Sequence, residues 1–213
     1  MFKDREEAGR LLAEALDFLR DRKDVIVLAI PRGGLVVAKE VADHLNSPLD
    51  LIVTRKLGAP GNPELAVGAV TQDGASILEP ELIRRLGIPD SYLARESAEQ
   101  SAEIERRMRI YRGDRSYPVL DGRIVVIVDD GVATGSTARA AILSAQARNA
   151  ARVILALPVG PKETISRLAE TANRVVCLST PEPFHAIGRF YDDFGQVEEE
   201  TVIRILVGRQ ASR

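Results

Sequence analysis

A chain of 213 residues that is 45% hydrophobic can bury one sizeable core, so a single α/β domain with a small appended layer is the expected scale. The formal net charge is −2, and lysine and arginine are spread along the chain without a basic tail or stripe, which argues against a nucleic-acid partner. A lone cysteine, Cys177, excludes a disulfide framework within the chain, and acids near the N-terminus (Asp4, Glu6, Glu7) with no apolar run of spanning length point to a cytoplasmic protein without a membrane partner.

Residues 4 to 20 place Ala8, Leu11, Leu12, Ala15, Leu16 and Leu19 at helical spacing, which predicts an amphipathic helix with a structural role. Val25 to Ile30 reads as a buried strand, Leu35 to Leu45 as a helix and Leu49 to Val53 as a second strand. Between the first strand and its helix lies Pro31-Arg32-Gly33-Gly34, which offers free backbone N–H groups, two glycines and a guanidinium suited to phosphate oxygens. Taken alone, that tetrapeptide is equally a turn with a solvated arginine. Arg55 and Lys56 follow the second strand, as cationic charge over a ligand or as ordinary surface charge.

From Thr54 to Glu64, two glycines and two prolines predict a mobile loop. Ala66 to Leu78 reads as a hairpin turning at Asp73-Gly74. Ser91 to Arg112 is a long charged helix with Glu103–Arg107 and Glu105–Arg109 as i,i+4 pairs, either a solvated face or a subunit contact.

The segment Val126-Ile127-Val128-Asp129-Asp130-Gly131-Val132-Ala133-Thr134-Gly135-Ser136-Thr137 is the most informative in the chain. Ile124 to Val128 is a short β-branched run, read as a strand buried on both faces, and Ala138 to Ala147 has helical composition. A helix N-terminus after such a strand favours an anion, and two glycines let the backbone approach it. The paired acids would repel a phosphate but suit the two hydroxyls of a vicinal diol. The loop lacks the Gly-Lys-Ser/Thr ending of a P-loop and the Gly-x-Gly-x-x-Gly spacing of a dinucleotide site, so a sugar monophosphate fits better than a polyphosphate.

Further strands at Val153 to Leu157 and Val175 to Leu178 flank a helix from Pro161 to Thr171, with proline at an N1-like position. Strands alternate with helices, which predicts an α/β fold with a doubly wound, mostly parallel sheet and ligands at its carboxyl edge. Residues 181 to 194 break the alternation and gather aromatics as a hood, and Glu198 to Glu200 suit the N-terminus of a last helix. The expected division is a core of about 22–180 with a hood of about 181–213 plus the N-terminal helix 4–20.

The run from Val126 to Thr137 resembles the phosphoribosyl diphosphate (PRPP) motif of type I phosphoribosyltransferases, and the pattern of elements extends the likeness over about three quarters of the chain. The resemblance implies transfer of a 5-phosphoribosyl group from PRPP to a nitrogenous acceptor. Asp129 and Asp130 would hold the ribose hydroxyls, and Ala133, Thr134, Gly135, Ser136 and Thr137 the 5′-phosphate. Arg32, Gly33 and Gly34 would hold pyrophosphate, with a cis or strained non-proline peptide near Arg32. Arg55 and Lys56 would cover the leaving group at the start of a lid. Asp129, Asp130, Arg32 and Lys56 are thus the expected catalytic set, Mg²⁺ the expected metal, bound mainly through ligand oxygens with any contact to Asp129 and Asp130 running through water, and a homodimer the family habit.

Acceptor contacts are assigned to Glu64, Phe184 and His185, against the plainer readings of an exposed loop carboxylate, a core ring and a surface histidine. Phe190 and Tyr191 likewise either stack on a heterocycle or close the core. Ala133 stands where 6-oxopurine enzymes of this family carry an acid, which disfavours hypoxanthine and guanine. The alternative function is a regulatory protein that senses PRPP or a nucleotide without turnover. A PRPP or nucleotide hydrolase is a third reading, for which the chain offers no evident base.

Overall fold

The structure, a computed structural model, describes residues 1–72, 74–113 and 116–208, with residues 63 and 64 described by their backbone alone. Helix α1 (Arg5–Ala15) opens on Asp4, whose carboxylate accepts the Glu7 backbone N–H at 2.7 Å while the Glu7 carboxylate accepts that of Lys3 at 2.5 Å. Asp4→Ala is expected to lower stability by about 1 kcal/mol, read from chemical denaturation. The helix expected to run to residue 20 ends at Ala15, and a 3-10 turn (Asp17–Leu19) completes the stretch.

Strand β1 (Val25–Ala29) is buried at every position, passes through residues 30–32 into α2 (Gly33–His44), and the chain returns in β2 (Leu49–Leu51), parallel to β1. There the chain leaves this sheet. β3 (Thr54–Ala59), β4 (Asn62–Thr71) and β5 (Ser76–Leu78) form a separate antiparallel sheet in that order.

The mobile loop expected over 54–64 is therefore corrected to a hairpin. Its breakers are absorbed locally: Gly61 turns at φ +72°, and the register shifts on either side of Gly58. Leu57, Val67 and Val70, all fully buried, anchor both strands in the core and outweigh the weak local propensity. The turn expected at Asp73-Gly74 has Gly74 at φ +80° with its N–H donating to Thr71 O at 2.9 Å, while Asp73 lies outside the described residues.

A short helix not anticipated from the sequence, α3 (Pro80–Leu86), follows, with Pro80 in its first turn and Gly87 at φ +62° as its C-cap. Then comes α4 (Asp90–Arg112), on which Glu103 accepts hydrogen bonds from Arg107, as expected, and from Arg106. These two guanidinium donors hold the Glu103 carboxyl down to about 2.

β6 (Ile124–Val128), α5 (Ser136–Ala147), β7 (Arg152–Val159), α6 (Lys162–Ala169) and β8 (Arg174–Ser179) complete the parallel sheet in the order β2-β1-β6-β7-β8. Pro161 precedes α6 as its N-cap, one position before the expected N1. Apolar residues of α1 and α2 cover one face of the sheet and those of α5 and α6 the other, so the sheet is doubly wound. Cys177 is only half-buried in this layer, with its thiol donating to Ser179 O at 3.3 Å, and burial pushes that thiol up.

Beyond the sheet a 3-10 turn (Ile187–Phe190) leads to α7 (Glu199–Gly208), whose first turn carries Glu199 and Glu200. Val202 and Leu206 of α7 join the core cluster on the face of α1 and α2, and α7 packs against α4. Connections from β1 run to one side of the sheet and from β6 to the other. The carboxyl ends of β1 and β6 therefore flank the topological switch point.

Candidate active site

Two turns meet at that switch point. After β1, the Pro31–Arg32 peptide is cis, at the position where the resemblance implied one. After β6 come Asp129 and Asp130. The turns touch directly: a Cβ on Gly33 would sit 1.9 Å from Asp130 Oδ2, and one on Gly34 would sit 2.8 Å from Asp129 Cα. Only glycine permits this approach at both positions.

The phosphate-type loop stands beside the acids. Gly135, at φ +83°, is the N-cap of α5 and contributes no side-chain cap, so the first-turn N–H groups face outward without a side-chain acceptor. Ala133, Thr134 and Thr137 are exposed, Ser136 is half-buried and Gly135 is buried. The loop is fastened from both sides, since Thr164 Oγ1 donates to Ala133 O at 2.9 Å and Thr54 Oγ1 donates to Thr137 O at 3.3 Å. The second contact brings the base of the β3–β4 hairpin to the rim of the site.

Each acid already has one oxygen engaged. Asp129 Oδ1 accepts the Asp130 backbone N–H at 2.9 Å, and Asp130 Oδ2 accepts from Arg5 Nε at 2.7 Å. Burial first, and the neighbouring Asp130 carboxylate second, push the Asp129 carboxyl well above the ordinary carboxylate range. In the sequence, Arg5 belongs only to a helix with a structural role, and nothing there marks it for the site. The Tyr191 hydroxyl donates to the Asp130 carbonyl at 2.6 Å, a second role that composition did not suggest. Tyr191→Phe is expected to cost about 1 kcal/mol, measurable as a lowered denaturation midpoint, because it leaves a half-buried carbonyl without its donor.

The cationic residues separate. Arg32 is half-buried at the end of β1. Arg55 Nε donates to Gln100 Oε1 of α4 at 2.7 Å, and Lys56, next along β3, takes the opposite face of the hairpin. The side chain of Glu64 lies outside the described residues. His185 is exposed, whereas Phe184 stacks on Phe190 with centroids 5.2 Å apart. Tyr191 contacts both Phe2 and Phe194, at 5.4 and 4.9 Å, so the hood rings mainly pack on one another over Ala8 and Val159.

A cavity of about 510 Å³ opens on the other side of the phosphate-type loop, between the hairpin, α5 and α6. Thr134 and Ser136 line it, and the Arg139–Glu79 ion pair lies on its wall. Its size suits a small ligand, but Asp129 and Asp130 do not line it, so the acids and this cavity are neighbours on either side of the loop. Among the described residues no group of three or more His, Cys, Asp or Glu converges to hold a metal, and no helix is long and apolar enough to cross a membrane.

Residues 2–194 match the family model of the phosphoribosyl transferase domain, and the chain belongs to that family. It is 45% identical over 206 residues to two proteins of Mycobacterium tuberculosis that bear phosphoribosyl transferase names, MT0597 and Rv0571c, and the match covers 97% of this chain. The chain spans about half the length of these curated relatives, 46% of each. Among solved structures, TT1426 from Thermus thermophilus is similar at a TM-score of 0.88 and 46% identity, covering 97% of this chain and 98% of that one. The AQ2163 protein of Aquifex aeolicus shares the fold at a TM-score of 0.52 and 15% identity, over 86% of this chain and 76% of that one.

Proposed function

We propose that the chain transfers the 5-phosphoribosyl group of PRPP to a nitrogenous acceptor and releases pyrophosphate. One observation carries the reading: a glycine turn with an arginine, a pair of acids and an uncapped helix N-terminus meet at the switch point of β1 and β6, and the turn is pressed against the acids with a Gly33 Cβ position 1.9 Å from Asp130 Oδ2. Three recognition elements at that spacing suit the three parts of PRPP.

In this reading the loop from Ala133 to Thr137 takes the 5′-phosphate, Asp129 and Asp130 accept from the ribose hydroxyls, and Arg32 with Gly33 and Gly34 takes the pyrophosphate. Lys56 adds charge toward the leaving group from the hairpin, with Arg55 beside it on β3, bonded to Gln100 of α4. No protein nucleophile is required, because C1′ develops oxocarbenium character as the pyrophosphate bond breaks and the acceptor nitrogen attacks. The side chains align the two reactants and neutralise the leaving group. Two adjacent acids fit a hydrated Mg²⁺ held mostly by ligand oxygens rather than a protein cage, and Asp129 and Asp130 would hold it through water. Bound there, the ion would supply charge neutralisation at the pyrophosphate.

Acceptor choice rests with residues around the hood, including Phe184, His185 and Glu64, and Ala133 argues against 6-oxopurines. A homodimer through α4 and a cytoplasmic setting belong to the same reading. The test is pyrophosphate release from PRPP and Mg²⁺ with and without a panel of nucleobases, pyridine acids and other nitrogen heterocycles. Release stimulated by one compound supports transfer and names the acceptor. Saturable PRPP binding with no stimulated release would replace transfer by sensing.

A further inference from the structure

Arg5 stands 125 residues before Asp130, yet its guanidinium is bound directly to that acid. Arg5 Nε donates to Asp130 Oδ2 at 2.7 Å, and the two side chains are only 11% and 13% exposed. Nη1 of the same guanidinium donates to Gly195 O at 2.8 Å, and its carbon lies 3.8 Å from the centroid of the Phe194 ring. One planar group thus joins the acid after β6 to the hood.

The segment that carries Arg5 is itself tied to the hood. Phe2 N–H donates to Phe190 O, Asp192 N–H to Phe2 O and Asp193 N–H to Lys3 O, each at 2.8 Å. Asp4 then caps α1 and sets the direction in which Arg5 leaves it. From the opposite side, Gly33 closes against both partners, since a Cβ there would lie 1.9 Å from Asp130 Oδ2 and 2.9 Å from Arg5 Nε. The backbone of Asp130 is held as well, through the Tyr191 hydroxyl.

A carboxylate turns easily about its last torsion, which is broad and roughly two-fold. Here the turn is stopped, because Oδ2 is fixed by a guanidinium that is itself stacked on a ring and bonded to a carbonyl. Asp130 Oδ1 takes no part in the bond to Arg5, and the Asp130 side chain also faces the Asp129 carboxyl. A surface ion pair would contribute little, but this pair is mostly buried and forms part of a network, where geometry and charge both persist. The cation also offsets the charge of two adjacent acids.

We propose that Arg5 is a positioning residue for ribose recognition: it orients the Asp130 carboxylate so that the remaining oxygen meets the diol of PRPP, and it makes that orientation depend on the hood segment around Phe194 and Gly195. The proposal rests on the phosphoribosyltransferase reading and adds to it a residue outside the family's motif. Arg5 touches neither PRPP nor the acceptor in this role.

The experiment is titration calorimetry of PRPP with Mg²⁺ on the whole chain, together with steady-state pyrophosphate release, for wild type, Arg5→Gln, Arg5→Lys and Phe194→Leu, each below its unfolding midpoint. Loss of a charged hydrogen bond predicts that Arg5→Gln weakens PRPP binding and raises its KM by about 10- to 100-fold. The turnover of the saturated enzyme should change by less than about threefold, because uniform binding is what is lost. Arg5→Lys keeps the charge without the planar fork and should recover about half of the loss on a logarithmic scale. Phe194→Leu, which keeps Arg5 but removes its platform, should fall between wild type and Arg5→Gln.

Wild-type affinity in folded Arg5→Gln overturns the proposal. So does a kcat that falls with KM unchanged, or an Arg5→Lys variant as weak as Arg5→Gln. If Arg5→Gln does not fold, Arg5→Lys and Phe194→Leu decide alone, and wild-type affinity in both overturns it. Absence of saturable PRPP binding by the wild type is a different failure, because it overturns the phosphoribosyltransferase reading on which the proposal stands.

Discussion

Replacing Asp129 and Asp130 together by asparagine is expected to abolish PRPP binding and pyrophosphate release while leaving the chain folded. Asparagine keeps the size of each side chain but removes the negative charge and turns one acceptor into a donor, which cannot receive a hydroxyl proton. Two charge-assisted hydrogen bonds to the ribose are lost at once, so affinity should fall by at least about 100-fold. Calorimetric titration with PRPP and Mg²⁺ reads the loss, and circular dichroism reads the fold. Measurable turnover in the double variant would remove these residues from the site.

Stability should respond in a direction set by Asp129. Its carboxyl is pushed up by burial and by Asp130, so the folded state favours the protonated acid more than the unfolded chain does. The contribution from this group is complete below the unfolded carboxylate value, near about 4, and is lost as pH rises from there through the raised folded value. Asp129→Asn removes the ionisation. The variant should therefore gain stability relative to wild type as pH rises from about 4 to about 7, and a constant difference across that window would contradict the assignment. A site that holds an acid at a cost to folding is common where ligand recognition needs it.

The parts legible in the sequence are those in which chemistry is contiguous. Val126 to Thr137 compresses strand, acids, glycines and helix start into a dozen residues, and Pro31 to Gly34 does the same for the turn after β1. Their elements appear where expected, within one or two residues. The hairpin is hidden because its glycines and prolines carry a stronger local signal than its apolar residues, whose burial against α4 and α5 is a tertiary fact. Helix α3 has a readable signature, proline at its start and Gly87 after Leu86, but it is short and lies between two longer elements with stronger patterns. Arg5 has none. Its meaning depends on a partner 125 positions away, and no local period or motif encodes that pairing.

Two adjacent glycines separate folding from recognition most clearly. Gly34→Ala would place a Cβ 2.8 Å from Asp129 Cα and 2.9 Å from Val128 O, and that carbonyl also accepts the Ile30 N–H at 2.9 Å. These two obstacles are backbone, fixed in the β1–β6 pairing, and cannot withdraw without parting the strands at the switch point; the third close atom, Asp129 Oδ1 at 2.9 Å, is the end of a side chain. An overpacking cost of about 3 kcal/mol is expected, seen as a lower denaturation midpoint. Gly33→Ala meets side-chain atoms instead, Asp130 Oδ2 at 1.9 Å and Arg5 Nε at 2.9 Å, and the carboxylate turns away only by giving up its bond to Arg5. No backbone has to move, so its stability cost should stay below that of Gly34→Ala, whereas PRPP affinity should drop by about 10- to 100-fold as Asp130 leaves its orientation. The neighbouring variants should thus diverge in stability, because only Gly34→Ala strains backbone. Equal affinity in Gly33→Ala and wild type would mean that the orientation of the Asp130 carboxylate does not matter for the ligand.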